Sequence, residues 1–503
     1  MAIAKICGIE TEYGIVLRGH PDPNPIAASS ILISAYLDEL TRAGGTAHGV
    51  PRIGWDFADE HPDHDARGFA AAGAMPPEVE THLVNAVLTN GARYYVDHAH
   101  PELSTPECVD ARSVVVFDRA AERILERSMA AADRALPDGQ SIVVYKNNSD
   151  GKGNSYGCHE NYLLDRATPF GTVVHGVTPH FVTRQIFTGA GKVGCEAGAS
   201  SADVPFELGQ RADFFEEEVG LETTLKRPIV NTRDEPHADP TKYRRLHVIV
   251  GDANMSEVAT FLKVGTTAIV LSMIEDGALG SEFVLAAPVA AMREVSHDLS
   301  LARPLRLADG TSITALALQW ELYRRAVAWS ERFGLDSVGT ACGTEVLRRW
   351  ESVLSGLERD PMELSTVVDW VAKYRLIDAY RERHGLGWGD ARLRALDLQY
   401  HDLRPDRGLA SRVGLERLCD DDEIESATSV PPVDTRAWFR GMCLTRFGDQ
   451  VVSANWDSMV FDVGGDALRR VPMMEPSRGT AAHVASVLDS SRDAAELLER
   501  LGS

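Results

Sequence analysis

The sequence has no uninterrupted apolar run of the roughly 18 residues that a membrane-spanning helix needs, because charged residues or glycines break each candidate. Its first residues, Met1 to Cys7, lack the long apolar core of a secretion signal. Cysteines are few, seven in 503 residues, and none forms a CxxC pair, which argues against a disulfide framework or a zinc ribbon. We therefore expect a cytoplasmic protein that does not enter a membrane.

Basic residues are the minority among the charged ones, with 51 Lys and Arg against 74 Asp and Glu, a net charge of −23. Such an excess of negative charge repels nucleic acid, so we expect no nucleic-acid partner. Hydrophobic residues make up 44% and charged residues 25%, a balance that is typical of a globular protein and excludes bulk disorder. An acidic partner would have to bind in a local basic groove.

The chain divides into a long N-terminal part and a short C-terminal part. Strand and helix patterns extend to about residue 425, interrupted over 43–77 by a stretch rich in Gly, Pro, Asp and His that has no sustained period. After an acidic linker, residues 433–503 are predicted to form a separate small domain, with a strand over 438–447 and a final helix over 480–501. Antiparallel strands with segregated helices indicate an α+β architecture.

Two glutamates lie close together in the first predicted strand, residues 6–16. Side chains alternate along a strand, so Glu10 and Glu12 share one face, about 7 Å apart. On a solvated face this pair has no significance. On an inner face two like charges are costly unless cations compensate, and Mg²⁺ is a cation that accepts carboxylate oxygens.

A second group of polar residues follows Asn90-Gly91. The same alternation places Arg93, Tyr95 and Asp97 on one face of a strand. Pro101 turns the chain, so Glu102 is expected to return to the same region. The alternative is a structural ion-pair cluster with no chemical role.

Two further strands carry polar side chains in the same alternating way. His159 and Asn161 share a face after a glycine-rich loop, and Arg245 and His247 lie opposite a buried apolar face. A guanidinium and an imidazole beside carboxylates suit a site for metal and phosphate. A satisfied core histidine and a solvated strand face remain the alternatives.

Several long motifs resemble one known family. The chain is similar to the Pup ligase and Pup deamidase/depupylase family, which is related to glutamine synthetase and the γ-glutamyl-cysteine ligases. The resemblance implies a large glutamine-synthetase-like domain over 1–425, in which a curved antiparallel sheet with packed helices holds ATP and Mg²⁺, and a small α+β domain over 433–503. The motifs that carry it are Gly8-Ile9-Glu10-Thr11-Glu12-Tyr13-Gly14, residues 90–102, residues 153–162 and residues 231–239 with 254–257.

The family has two branches that share one site. Ligases join the C-terminal glutamate of Pup, a small acidic disordered protein, to a substrate lysine; the other branch deamidates the C-terminal glutamine of Pup and cleaves Pup from modified lysines. The 43–77 insert, its motifs 55–57 and 65–69, and the short spacing between Asp97 and Glu102 resemble the second branch. The Gly-Ile-Glu-Thr-Glu motif is closer to the ligases, so a Pup–protein ligase stays an alternative, as does a catalytically inactive Pup-binding regulator.

The resemblance also implies roles for individual residues. Asp97 is expected to carry the reaction, as nucleophile or as base for a water molecule, with Arg93 keeping it ionised and stabilising the oxyanion. The implied ligands of magnesium are Glu10, Tyr95, Glu102, His159 and His247, although a phenol is a poor magnesium ligand. The implied ATP contacts are Glu12, Ser104, Thr105, Asn161, Arg245 and Trp456.

Partners follow from the same resemblance. The expected partners are Pup and pupylated proteins, and a proteasome-associated ATPase is a further candidate. Four basic residues, Arg211, Lys226, Arg227 and Arg233, are expected to line the groove for Pup, unless they are ordinary surface residues. The 43–77 insert is expected to form a mobile flap at the mouth of the active site.

Overall fold

A computed structural model describes residues 1–43, 53–57, 60, 64–68, 83–196, 204–465 and 467–502. Its strands are β1 (Cys7–Glu12), β2 (Gly14–Arg18), β3 (Gly54–Trp55), β4 (Asn85–Val87), β5 (Arg93–Asp97), β6 (His100–Ser104), β7 (Ser141–Tyr145), β8 (Cys158–Asp165), β9 (Lys192–Val193), β10 (Phe206–Glu207), β11 (Phe215–Gly220), β12 (Arg227–Asn231), β13 (Tyr243–Val248), β14 (Pro304–Arg306), β15 (Ser312–Thr314), β16 (Val451–Ala454), β17 (Ser458–Phe461) and β18 (Arg469–Pro472).

The same described residues form the helices of the structure. They are α1 (Pro25–Ala43), α2 (Ala111–Ala135), α3 (Phe170–Thr183), α4 (Gln185–Thr188), α5 (Glu257–Glu275), α6 (Pro288–Ser296), α7 (Ala315–Phe333), α8 (Thr340–Arg359), α9 (Asp369–His384), α10 (Ala391–Tyr400), α11 (Asp421–Ala427), α12 (Ala437–Phe447), α13 (Ala481–Ser490) and α14 (Ala494–Gly502).

Ten of the strands in the described ranges form one sheet, in the order β13-β8-β1-β6-β5-β4-β3-β16-β17-β18. Each neighbouring pair is antiparallel except β3 and β16, which are parallel. The predicted α+β class with a large antiparallel sheet is confirmed. Strand β6 lies between β1 and β5, because β5 and β6 form a tight hairpin.

Alternation along the strands separates a buried face from a polar face. In β8, residues Cys158, Glu160, Tyr162 and Leu164 are buried, and the residues between them are partly exposed. Buried apolar side chains of β1, β8 and β13 belong to the same core as those of helices α3, α5, α7 and α8. This packing leaves the opposite face of the sheet open for chemistry.

Helix α5 is long and apolar enough, by composition, to cross a membrane. An 18-residue window in it has a mean hydropathy of 1.5, and all of that window is buried inside the protein. Such burial is typical of the core helix of a globular protein.

Some predicted elements were wrong. Residues 438–447 form helix α12 rather than a strand, because the buried residues Phe439, Cys443, Leu444 and Phe447 recur at helical spacing. The predicted strand 6–16 is two strands that pair with different partners, since β2 pairs with β7. The predicted final helix is divided between α13 and α14 by Ser491, whose backbone is extended.

The C-terminal strands continue the large sheet. β16 pairs with β3, which lies within the 43–77 range, and β3 pairs in turn with β4. Trp55 of β3 is buried in the core formed by residues of α12, β16, β17 and α14. The predicted division between 1–425 and 433–503 stays a prediction.

Much of the 43–77 insert, including Phe69 and the mobile flap inferred for it, lies outside the described residues. Its described residues contact the segment after β12. The Ala66 amide donates to the Thr232 carbonyl at 2.8 Å, and the Asp234 amide donates to the His64 carbonyl at 2.9 Å. This part of the insert therefore pairs with residues 232–234.

Candidate active site

Five neighbouring strands bring polar side chains together on the open face of the sheet. In the register of β1, Glu10 lies opposite both His159 of β8 and Ser104 of β6. Glu12 lies opposite Glu102, which in turn faces Tyr95 of β5. Side chains that share a face at paired positions are within reach of one another, so the predicted residues converge.

The first group, which we call the histidine cluster, contains Glu10, His159 and His247. One donor atom from each lies within 4.8 Å of the others. The Nδ1 atoms of His159 and His247 lie 3.4 and 3.5 Å from Glu10 Oε1. Burial alone would raise the pKa of Glu10, but the hydrogen bond from His159 and the charge of Arg245 lower it overall. The cluster therefore offers an ionised carboxylate.

His247 provides a neutral donor to the same cluster. Burial, joined by the nearby Arg245 charge, holds the pKa of His247 well below its usual range. A neutral imidazole is the form that binds metal. Two imidazoles and a carboxylate fit a divalent cation, and this donor set suits Mn²⁺ or Zn²⁺ at least as well as Mg²⁺.

The second group, which we call the acidic cluster, contains Glu12, Asp97 and Glu102, again with donor atoms within 4.8 Å of one another. Glu102 is only 3% exposed. Burial and the negative charges of Asp97 and Glu10 raise the pKa of Glu102 well above its usual value. Three converging carboxylates are unfavourable without a proton or a cation, and an all-oxygen donor set fits Mg²⁺.

Tyr95 and Arg93 lie beside the acidic cluster. The Arg93 guanidinium is stacked between two rings, with its central carbon 4.0 Å from the Trp55 ring centroid and 3.9 Å from that of Tyr95. Its Nε donates to Asn85 Oδ1 at 3.1 Å. This packing holds one cation on the open face, four residues along β5 from Asp97.

A pocket adjoins the histidine cluster. Five of the six predicted ATP contacts line it: Ser104, Thr105, Asn161, Arg245 and Trp456. Glu10 also lines this pocket, whereas Glu12 lies in the acidic cluster. Within it, Arg245 Nη1 donates to Asn161 Oδ1 at 2.7 Å, which fixes both side chains.

The pocket also contains residues that the sequence had not singled out as functional. Arg436, at the start of α12, donates from Nε to Glu107 Oε1 at 2.7 Å and from Nη1 to the His237 carbonyl at 2.6 Å. Arg440 also binds Glu107. Burial opposes ionisation of Glu107, but Arg440 and Arg436 lower its pKa to about 2. These three residues therefore join the C-terminal part to the rim of the pocket.

Two more unpredicted residues are histidines. His237 lines the pocket with a positive φ of 46°, a conformation that is unusual for a residue other than glycine. His100 lies 3.6 Å from Glu12 Oε2 through its Nδ1, and its ring packs on Tyr156. Both histidines lie within motifs that carry the family resemblance, and this position was the feature of the sequence that could have marked them as functional.

A second and larger cavity, of about 880 Å³, opens beside His100. It is lined by residues of β2, of the glycine-rich loop and of α10. Its walls carry both basic and acidic side chains, among them Lys152, Lys192, Arg394, Asp150, Glu196 and Asp397. Because His100 also contacts Glu12, this cavity leads to the acidic cluster.

The four predicted Pup-binding residues do not form one exposed surface. Arg211 is 1% exposed, and it donates to the Ser155 hydroxyl at 3.2 Å and to the Ile249 carbonyl. Its assignment to an open groove was therefore wrong, because its guanidinium is used to hold the backbone. Arg227 is half-buried and donates to the Ser155 carbonyl at 3.1 Å, whereas Lys226 is exposed. Arg233 bridges to Asp65 of the insert through its backbone.

Two curated proteins are similar to this chain over its full length. A depupylase from Acidothermus cellulolyticus is 53% identical over 509 residues, covering 99% of each chain. A Pup deamidase/depupylase from Mycolicibacterium smegmatis is 48% identical, also over 99% of each chain.

Two solved structures of a Pup ligase share the fold. The complex of Pup with its ligase PafA has a TM-score of 0.79 at 31% identity, covering 97% of this chain and 92% of that one. PafA bound to ADP has a TM-score of 0.73 at 37% identity, covering 80% and 89%. A family model described as Pup-ligase protein matches residues 5–460. The chain therefore belongs to the Pup-ligase protein family.

Proposed function

We propose that this chain is a hydrolase that deamidates the C-terminal glutamine of Pup and cleaves the isopeptide bond between Pup and substrate lysines. The observation that carries the proposal is the full-length similarity, 53% and 48%, to proteins named depupylase and Pup deamidase/depupylase. The convergence of Asp97 with Glu12 and Glu102 supports it, since side-chain amide cleavage needs a nucleophile or base beside an electrophilic centre.

Asp97 is the residue to which we assign the reaction. It lies at the end of β5 with its side chain 37% exposed, so a substrate can reach it from the open face. Its carboxylate either attacks the amide carbonyl or takes a proton from the attacking water. When the carboxylate attacks, the amine leaves with a proton and a mixed anhydride remains, which a water molecule then hydrolyses to free Asp97. In both cases the carbonyl carbon ends with a hydroxyl group from water, and the nitrogen leaves as ammonia or as the lysine amine.

Cofactors are assigned from the two clusters and the adjoining pocket. Glu12, Glu102 and Asp97, with Tyr95 beside them, would supply oxygens for Mg²⁺, and Glu10, His159 and His247 would form a second set of donors. When bound, magnesium would offset the negative charge of the carboxylates and of nucleotide phosphates. The pocket between Arg245 and Trp456 would hold ATP, in line with the ADP complex of PafA.

Pup reaches the site along the open face in this proposal. Lys226, Arg227 and Arg233 supply positive charge, and the large cavity beside His100 gives a path of sufficient volume for an extended C-terminal segment. Pupylated proteins are then the second substrate class, with a cytoplasmic location and a proteasome-associated ATPase as accompanying expectations.

A single assay tests this function against its alternatives. The purified chain is incubated with ATP, Mg²⁺ and a Pup-modified protein, and separately with glutamate-ended Pup and a lysine substrate. Release of Pup is the expected result, and attachment instead would identify a Pup–protein ligase. Neither reaction would indicate a Pup-binding regulator without catalysis.

The matched variant is Asp97→Asn, which preserves shape but removes the charge. We expect it to bind ATP normally and to lose cleavage by at least about 10³-fold, because general base or nucleophilic catalysis is removed. Normal turnover by this variant would contradict the assignment of Asp97.

A further inference from the structure

The turn between β5 and β6 places a histidine in an unfavourable conformation directly beside Asp97. Asp97 pairs with His100, so His98 and Ala99 form a two-residue turn. His98 has a φ of 50°, in the left-handed region where glycine is favoured at such turn positions. Strain of this kind persists only where the surrounding structure imposes it, and it clusters at functional sites.

The surrounding structure does hold this turn in place. Ser29 of α1 is fully buried, and its hydroxyl donates to the Ala99 carbonyl at 2.9 Å. On the other side of the turn, His100 packs against Tyr156, with ring centroids 4.4 Å apart. The turn is therefore held by a hydrogen bond from helix α1 and by the contact between His100 and Tyr156, and the side chain of His98 lies toward solvent.

The imidazole of His98 contacts one oxygen of Asp97. His98 Nδ1 lies 2.9 Å from Asp97 Oδ2. Because an ionised carboxylate can only accept, Nδ1 must carry the hydrogen in this bond. The imidazole is 70% exposed, so it lies on the solvent side of Asp97, whereas Asp97 is grouped with Glu12 and Glu102 on the inner side.

We propose that His98 is a positioning residue for the Asp97 carboxylate, holding Oδ2 so that the carboxylate keeps one orientation toward the acidic cluster. The inference rests on the function proposed above and adds a residue to it. Three observations support this role: the positive φ of His98 at a position suited to glycine, the hydrogen bond from Ser29 that holds the turn, and the hydrogen bond from His98 to the Asp97 carboxylate. If the residue at position 98 served only to form the turn, glycine would do so without the strain of a positive φ.

Two substitutions separate positioning from structure. His98→Gly removes the donor and relieves the strain, since glycine adopts positive φ freely. His98→Asn keeps an N–H donor at the place of Nδ1 and tolerates the left-handed conformation better than other side chains. Exposed His175 on α3 supplies the matched control, His175→Asn.

The expected result is a loss of kcat without a loss of stability. We expect His98→Gly to lower kcat for cleavage of a Pup-modified protein by about ten- to a hundredfold through misplacement of the carboxylate, with KM and ATP affinity unchanged and the thermal midpoint unchanged or raised. His98→Asn should recover most of kcat, and His175→Asn should match the wild type.

Other outcomes overturn the inference. Wild-type kcat in His98→Gly would show that Asp97 needs no such contact, and an equal fall in His98→Gly and His98→Asn with a lowered thermal midpoint would indicate a purely structural role. If the wild-type chain itself releases no Pup, the proposed function fails and the inference fails with it, a result that is visible before any variant is compared.

Discussion

Replacing Glu107 by glutamine should loosen the start of α12 and weaken nucleotide binding. Glu107 is 12% exposed and pairs with Arg436 and Arg440, whose side chains are 4% and 0% exposed. Its pKa is lowered from 4.5 to about 2 by these arginines. At 1.36 kcal/mol per pKa unit, the folded state favours the ionised carboxylate by about 3 kcal/mol, which is the size expected for breaking a buried pair.

The assay is hydrogen exchange of the α12 amides, which reports local opening. Since 1.4 kcal/mol corresponds to a factor of ten, loss of about 3 kcal/mol should speed their exchange about a hundredfold at neutral pH, while amides in the core helix α5 keep their protection. The matched control is Glu425→Gln, which breaks the exposed pair with Arg127, with side chains 55% and 42% exposed. A surface pair contributes about 0–1 kcal/mol, so exchange there should change less than about fivefold.

The pH dependence gives a second check. The folded-state pKa of Glu107 lies below its ordinary value of 4.5, so the stabilisation is fully present above that pH and is lost as pH falls toward about 2. The wild type and Glu107→Gln should therefore differ by a constant amount at neutral and mildly acidic pH and converge below about 4.5. Unchanged α12 protection in Glu107→Gln at neutral pH would refute the reasoning.

Two further predictions concern the nucleotide and the metal. Trp456→Ala should raise the Kd for ATP about ten- to a hundredfold, because stacking of a base on an aromatic ring contributes about 1–3 kcal/mol; calorimetric titration measures this, and an unchanged Kd would place the base elsewhere. Burial and neighbouring carboxylates raise the pKa of Glu102, so binding of a divalent cation must displace its proton, and affinity for Mg²⁺ should rise with pH in the wild type and lose this dependence in Glu102→Gln. Potentiometric detection of released protons checks it, and the same rise in both proteins would contradict it.

Strand periodicity accounts for what could be predicted of the site. Alternation alone placed Glu10 with Glu12 and Arg93 with Asp97 on shared faces, and the structure has these residues on the open face of one sheet. The pairing of β1 with β8, about 150 residues further along the chain, could not be inferred from either segment.

Other features depend on contacts between distant parts of the chain. The bond from Arg436 to Glu107 spans 329 residues, and neither residue stands out locally. Arg211 has the chemistry of a surface residue, yet it is buried and holds the Ile249 and Gly251 carbonyls. The residue type shows that Arg211 is charged but not how deeply its side chain is buried, which is why an exposed role was predicted for Arg211. Helix α12 was predicted to be a strand; its aromatic residues Trp438, Phe439 and Phe447 are of a type that is enriched in strands.

The wide separation of Glu107 from Arg436 bears on how the protein is made. During synthesis the sheet strands that carry the acidic side chains leave the ribosome first, and the residues that complete the proposed nucleotide pocket follow hundreds of residues later. A growing or prematurely terminated polypeptide that lacks α12 would expose the apolar side of Trp55 and leave the pocket open. If the proposed nucleotide site is correct, translation therefore withholds nucleotide binding, and with it cleavage, until α12 has been synthesised.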